Sequence, residues 1–199
     1  ATEAPVLWES PVLHRRGTEM DWLVGTVSFL LFFLYDWNRV FWKKRWMRGF
    51  FYLGCMGLVV SGGIFLAEAL KKQSSGWIFW LAVSAVCLAG LVYTLFFALP
   101  FDETYRKEAD RHKVCRTGLY GICRHPGIWW FFGCFAGAGM ACADREKLLE
   151  GLFFSLLNLG YAWYQDRYIF PEEFCDYRDY QNAVPFLIPG RGQKDGKRK

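Results

Sequence analysis

The stretch WIFWLAVSAVCLAGLVYTLFFAL, Trp77 to Leu99, carries no charged side chain and stops at Pro100. About 20 mostly apolar residues in a helix cross the hydrocarbon of a bilayer, because backbone polar groups left unpaired in lipid are prohibitive. This block therefore reads as a membrane span and decides the fold class.

Four further blocks extend the reading outward. Trp22 to Trp42 is apolar but interrupted by Asp36, Asn38 and Arg39. Phe50 to Leu70 contains Gly54, Gly57, Gly62 and Gly63, a composition that suits close helix packing in a membrane. Ile128 to Cys142 and Leu148 to Tyr164 are shorter and read as a tightly turned helical hairpin. The expectation is an all-α, multi-pass membrane helical bundle of about five transmembrane helices, in one domain over residues 1–199. Residues 22–99 supply three spans, residues 101–190 a loop, the hairpin and a C-terminal segment, and residues 191–199 a basic tail.

Composition agrees with lipid as the solvent. Apolar residues make up 53% of the chain and aromatic residues 20%, more than a soluble domain of 199 residues readily buries. The mean hydropathy of +0.08 averages apolar blocks with charged segments and hides them. Seven scattered cysteines form no CxxC pair and predict no disulfide framework. Cys115, Cys123, His112 and His125 lack the tight paired spacing of zinc sites, so no metal is expected. Residues 1–21 contain no apolar run of signal-peptide type.

Lys and Arg accumulate in cytosolic loops. With five spans and the N-terminus outside, every Lys and Arg except Arg15, Arg16, Lys71, Lys72, Arg145 and Lys147 falls on the cytosolic side. That places the loop before the fourth block and the C-terminal segment in one compartment. The tail from Arg191 reads as a solvated end, with anionic lipid head groups as the partner if it binds; nucleic acid is not expected, since no basic face with interleaved aromatics accompanies it.

Two polar segments carry the chemistry. The first, HKVCRTGLYGICRHP (His112 to Pro126), leads straight into the fourth block. Pro126 is placed to open a helix, so Arg124 and His125 sit at a helix N-terminus, where free N–H groups and a partial positive charge favour a carboxylate-bearing ligand. The plain alternative is that they cap a helix and face head groups. The second segment runs from Tyr164 to Tyr180, followed by VPFLIP (Val184 to Pro189). Gln165 and Asp166 close an apolar block, where an ionisable group implies a partner or a role. Tyr177 and Tyr180 could simply anchor a surface helix at the interface.

Together these segments resemble the isoprenylcysteine carboxyl methyltransferase family and its relatives, the phospholipid and small-thiol methyltransferases of membranes. The matching residues are Gly118-Leu-Tyr120, then Arg124-His-Pro-Gly-Ile128, and downstream Tyr177, Tyr180, Val184, Pro185 and Pro189. The resemblance covers roughly residues 105–190. Ile128 stands where the family has tyrosine, and Gln165-Asp166 where it has two glutamates. The resemblance implies S-adenosylmethionine as cofactor, held by His112, Lys113, Val114, Cys115, Tyr120, His125, Pro126, Gly127, Ile128 and Gln165. Since methyl transfer from such a donor needs mainly alignment of donor and nucleophile, catalytic parts are expected of Arg124, holding or orienting the acceptor, and of Asp166, as counter-charge to the sulfonium or as base. The expected activity is methyl transfer to a lipophilic or small thiol, carboxylate or amine acceptor at the cytosolic face of a bacterial inner membrane or the endoplasmic reticulum. Two rivals stand beside it: an NADPH-dependent sterol or enone reductase, and a non-catalytic binding or assembly protein that keeps the fold.

Overall fold

The computed structural model describes the backbone of residues 11–98, 107–108 and 111–188, and the side chains of residues 20–98 and 113–188. Apart from one two-residue antiparallel pair, β1 (Lys107–Glu108) with β2 (Arg111–His112), the described chain is helical.

Helix α1 (Pro11–Trp37) runs into a π turn, Asn38–Trp42, and a 3-10 turn, Arg45–Arg48, before α2 (Gly49–Lys72). The α2–α3 connection turns through Gln73 and Gly76, both at positive φ, into α3 (Trp77–Phe96). A single turn, α4 (Leu119–Ile122), precedes α5 (Gly127–Cys142). Asp144 then caps α6 (Arg145–Tyr164), accepting from the backbone N–H of Glu146 at 2.8 Å. A second π turn, Gln165–Ile169, leads to α7 (Phe170–Glu173) and α8 (Tyr177–Ala183).

Three helical segments are long and apolar enough to cross a membrane: Met20–Trp42, Arg45–Lys72 and Trp77–Phe96. α3 is the most outward-facing of them, presenting Ile78, Phe79, Val86, Leu88, Val92 and Leu95 on its surface. The hairpin of α5 and α6 forms as anticipated, but neither helix matches the first three. α5 has 16 residues, about 24 Å at the helical rise and short of the ~30 Å hydrocarbon. α6 is long enough, but its first two turns carry Arg145, Glu146, Lys147 and Glu150.

The core is aromatic. Phe29, Phe32, Phe65, Phe131, Phe135 and Phe154 interlock from four helices, α1, α2, α5 and α6. Phe135 meets Phe65 edge-on at 5.7 Å and Phe154 at 5.5 Å. Gly57 lets α2 approach α1: a Cβ there would stand 2.1 Å from Ser28 Oγ. Gly54 plays the same part against Phe32, whereas Gly62 and Gly63 have nothing within 4 Å. Gly54 and Gly57 are thus the two of the four that serve the close packing such a composition suits.

The helices alternate in direction, so one end of the bundle gathers Asp36, Thr94, His125 and Asp166. The opposite end gathers Asp21, Lys72, Asp144 and Lys147, where Lys72 bonds Asp144 at 2.5 Å and Lys147 is held between Asp21 and Glu150.

Candidate functional site

The polar strip before α5 and the strip after α6 meet at one end of the bundle. Asp166 lies at their centre, buried. Its Oδ1 accepts from Tyr177 Oη at 2.7 Å and lies 3.2 Å from His125 Nε2; its Oδ2 accepts from Gln181 Nε2 at 3.0 Å. Arg124 Nε stands 3.0 Å from the same Oδ1 as an ion pair, not aligned for a hydrogen bond, while Arg124 Nη1 donates to Gln181 O at 2.9 Å.

The backbone explains why these side chains converge. Arg124 N donates to Pro185 O at 2.9 Å and His125 N to Phe186 O at 3.2 Å, so the segment around Val184 to Phe186 lies along the residues that enter α5. Trp129 Nε1 extends the pairing to Leu187 O at 3.0 Å. The His125 ring is bracketed by Phe170, stacked at 5.9 Å, and Phe186 at 4.8 Å. Arg124 lies 5.8 Å over the Phe186 ring.

Three titrations follow from this packing. Burial pushes the Asp166 carboxyl up, but hydrogen bonds from His125 and Tyr177 and the Arg124 charge outweigh it and hold the group below its ordinary value. Burial first, then the hydrogen bond to Asp166 and the charge of that carboxylate, push the Tyr177 phenol far above its ordinary range, so it stays a donor. The Tyr120 phenol is pushed up to about 12, chiefly by burial.

The chain matches no protein-family model, no curated protein and no solved structure.

The other sequence-derived site residues fall into place unevenly. Tyr120 bridges the two strips to α3: its Oη donates to Thr94 O at 3.0 Å, and its carbonyl accepts from Tyr180 Oη at 2.6 Å. Val114 packs beside the Tyr177, Tyr180 and Val184 cluster, and its N–H donates to Asp176 Oδ1 at 2.9 Å. Cys115 is buried with Sγ 3.4 Å from Thr117 Oγ1. Pro126 and Ile128 are buried at the start of α5, with Gly127 half-buried between them, and Lys113 is exposed. The backbone of His112 pairs with Lys107, while its side chain lies outside the described residues.

Gln165 is the exception. Adjacent helical positions point about 100° apart, so Gln165 and Asp166 divide: Asp166 faces His125, and Gln165 Nε2 donates to Asp36 Oδ2 on α1 at 2.7 Å. Tyr161 Oη donates to the same oxygen at 2.5 Å, and Arg39 links Asp36 at 3.4 Å to Glu173 at 2.7 Å. This second cluster ties α1 to the segment that carries Asp166.

Sequence reading treated Asp36 as an interruption of the first block and passed over Gln181, Asp176 and Phe186. An ionisable residue inside an apolar block was the available signal for Asp36. Nothing local marks Gln181, whose part depends on where α8 folds back.

Proposed function

We propose that the chain is an S-adenosylmethionine-dependent methyltransferase embedded in the membrane, acting on a lipophilic or small thiol, carboxylate or amine acceptor at the cytosolic face. The observation that carries this reading is the meeting of His125 and Asp166 at 3.2 Å, which brings the start of α5 and the C-terminal segment together. In this reading α5 and α6 cross as a hairpin, making five passes. The alternating helix directions then leave both polar strips on the side where Lys and Arg accumulate.

The residues suit the anionic end of such a donor. The first turn of α5 holds no acidic side chain of its own, and the one carboxylate beside it, Asp166, is taken up by Arg124 and His125. Arg124, ion-paired to Asp166 at 3.0 Å, adds an Nε donor there that is buried and without an aligned acceptor. The bound donor supplies an already activated methyl group on a sulfonium, so the protein's task is alignment and exclusion of water. Arg124 and the α5 amides bind carboxylate; Phe170 and Phe186 fix the His125 ring and keep water from it. Asp166, its oxygens taken up by its own chain's donors, positions Arg124 and His125 and does not act as a free base.

That occupancy favours a second reading, a module that binds ligand without turnover. Calorimetry on the full-length, detergent-purified protein separates the outcomes. Donor binding that weakens about tenfold or more in Arg124→Gln, the loss of roughly one charge-assisted contact, with radiolabel passing to a membrane acceptor, supports the enzyme. Binding without transfer supports the module. No binding sinks both.

A further inference from the structure

The turn between α1 and α2 is built to present charge. Asn38 is buried, and its side chain clamps the turn from both sides: Nδ2 donates to Lys44 O at 2.9 Å and Oδ1 accepts from Lys44 N at 2.8 Å. Lys43 sits at φ 57, its N–H donating to Asn38 O, and Met47 is buried as a plug beneath the 3-10 turn. On this fixed scaffold Lys43, Lys44, Arg45 and Arg48 are all exposed, interleaved with exposed Trp42 and Trp46.

These four cations have no ion-pair partner among the described residues. The nearby acids Asp36 and Glu173 are engaged by Arg39 instead. A soluble face would be expected to intersperse carboxylates; here the flanking residues are aromatic. Trp is enriched at the level of lipid head groups, where its ring is buried in acyl chain and its N–H meets water. The turn also joins two of the helices long enough to cross a membrane, so it lies at the height of the phosphate layer.

We infer that this turn is a rigid clamp for anionic phospholipid head groups, with Lys43, Lys44, Arg45 and Arg48 holding the phosphates and Trp42 and Trp46 seated among the glycerol and acyl groups. Order in the free turn matters, because side chains already held in place lose less freedom when the lipid binds. The clamp lies at the same end as Asp166, joined to it through Arg39, Glu173 and α7. It does not depend on the methyl-transfer reading.

The test uses full-length protein in neutral detergent, following the unfolding midpoint and the lipid retained while phosphatidylglycerol or phosphatidylcholine is added. Phosphatidylglycerol should raise the midpoint and be retained, with an effect that weakens in high salt, and phosphatidylcholine should do neither. Lys43→Gln/Lys44→Gln/Arg45→Gln/Arg48→Gln should abolish the preference, each cation contributing roughly fivefold in apparent affinity. The charge-preserving exchange of Lys and Arg at these four positions should keep most of it. Lys71→Gln, an exposed cation at the opposite end, should leave it unchanged. Should the quadruple variant fail to fold, Lys44→Gln and Arg48→Gln alone give the same readout at smaller size. Equal midpoints in the two lipids, an unchanged preference in the neutral variants, or full reproduction by glycerol 3-phosphate in place of lipid would overturn the clamp.

Discussion

Asp166 shows how one carboxylate can organise two distant segments. Removing it leaves Arg124 buried beside no counter-charge, so Asp166→Ala should cost about 3–5 kcal/mol of stability, as for other broken buried ion pairs. Tyr177→Phe, which deletes one hydrogen bond to a charged group, should cost about 1.5–3 kcal/mol. Unfolding midpoints of the detergent-solubilised variants check both, and equal losses would argue that Asp166 is not the hub. The pH dependence follows from the directions of the two shifts. A carboxyl held below its ordinary 3.8 contributes stability above that value and loses it as the pH falls through the folded-state pKa. A phenol raised above its ordinary 10.0 is the opposite limb: stability declines once the pH passes 10.0, because only the unfolded chain ionises. Tyr177→Phe should therefore flatten the alkaline limb while leaving an acid limb that still follows Asp166.

Between elements, contact distance decides which small residues matter. Gly57→Leu would drive a side chain into Ser28 and part α1 from α2, whereas Gly62→Ala meets nothing within 4 Å. The first should lower the unfolding midpoint by several degrees or abolish folding, consistent with overpacking costs of about 1–3 kcal/mol or more; the second should not lower it. Both glycines look alike in sequence, since apolar periodicity marks a helix but not which face meets a neighbour. The same limit governed the rest of the reading. The α3 block and the α5–α6 hairpin were legible because hydrophobic length and Pro126 are local signals. The convergence of Arg124 and Asp166 was legible only through the order of two motifs. That Gln165 turns to Asp36 is not legible, because its direction depends on the turn at the end of α6. In the ion cluster of Asp21, Lys147 and Glu150 only the i,i+3 pair on α6 is a local pattern; Asp21 joins it from a helix far away in the chain.

For the whole molecule, that cluster and the Asp166 network cap opposite ends of the bundle, and each constrains how the chain can sit in a bilayer. Lys147 joins α6 to α1 beneath Phe65, whose ring lies 5.2 Å from its Nζ, while Glu150 is fully buried with Oε1 lacking a partner. Lys147→Met should destabilise by about 3–5 kcal/mol, and adding Asp21→Asn and Glu150→Gln should recover much of the loss, because unpaired buried charge is costlier than none. If the five-pass reading holds, these two ends face opposite compartments. Cys175 is exposed at the Asp166 end, and the α2–α3 turn at Ser75 is exposed at the other. In sealed vesicles of one orientation, a membrane-impermeant maleimide should label native Cys175 from one side only. A Ser75→Cys variant with Cys175 replaced by serine should label from the other. Since α3 already separates these two positions, the hairpin is read from its own tip: with Cys175 replaced by serine, Arg145→Cys, exposed at the start of α6, should label from the Ser75 side if α5 and α6 cross, and labelling from the Cys175 side would leave three spans with the hairpin lying against them.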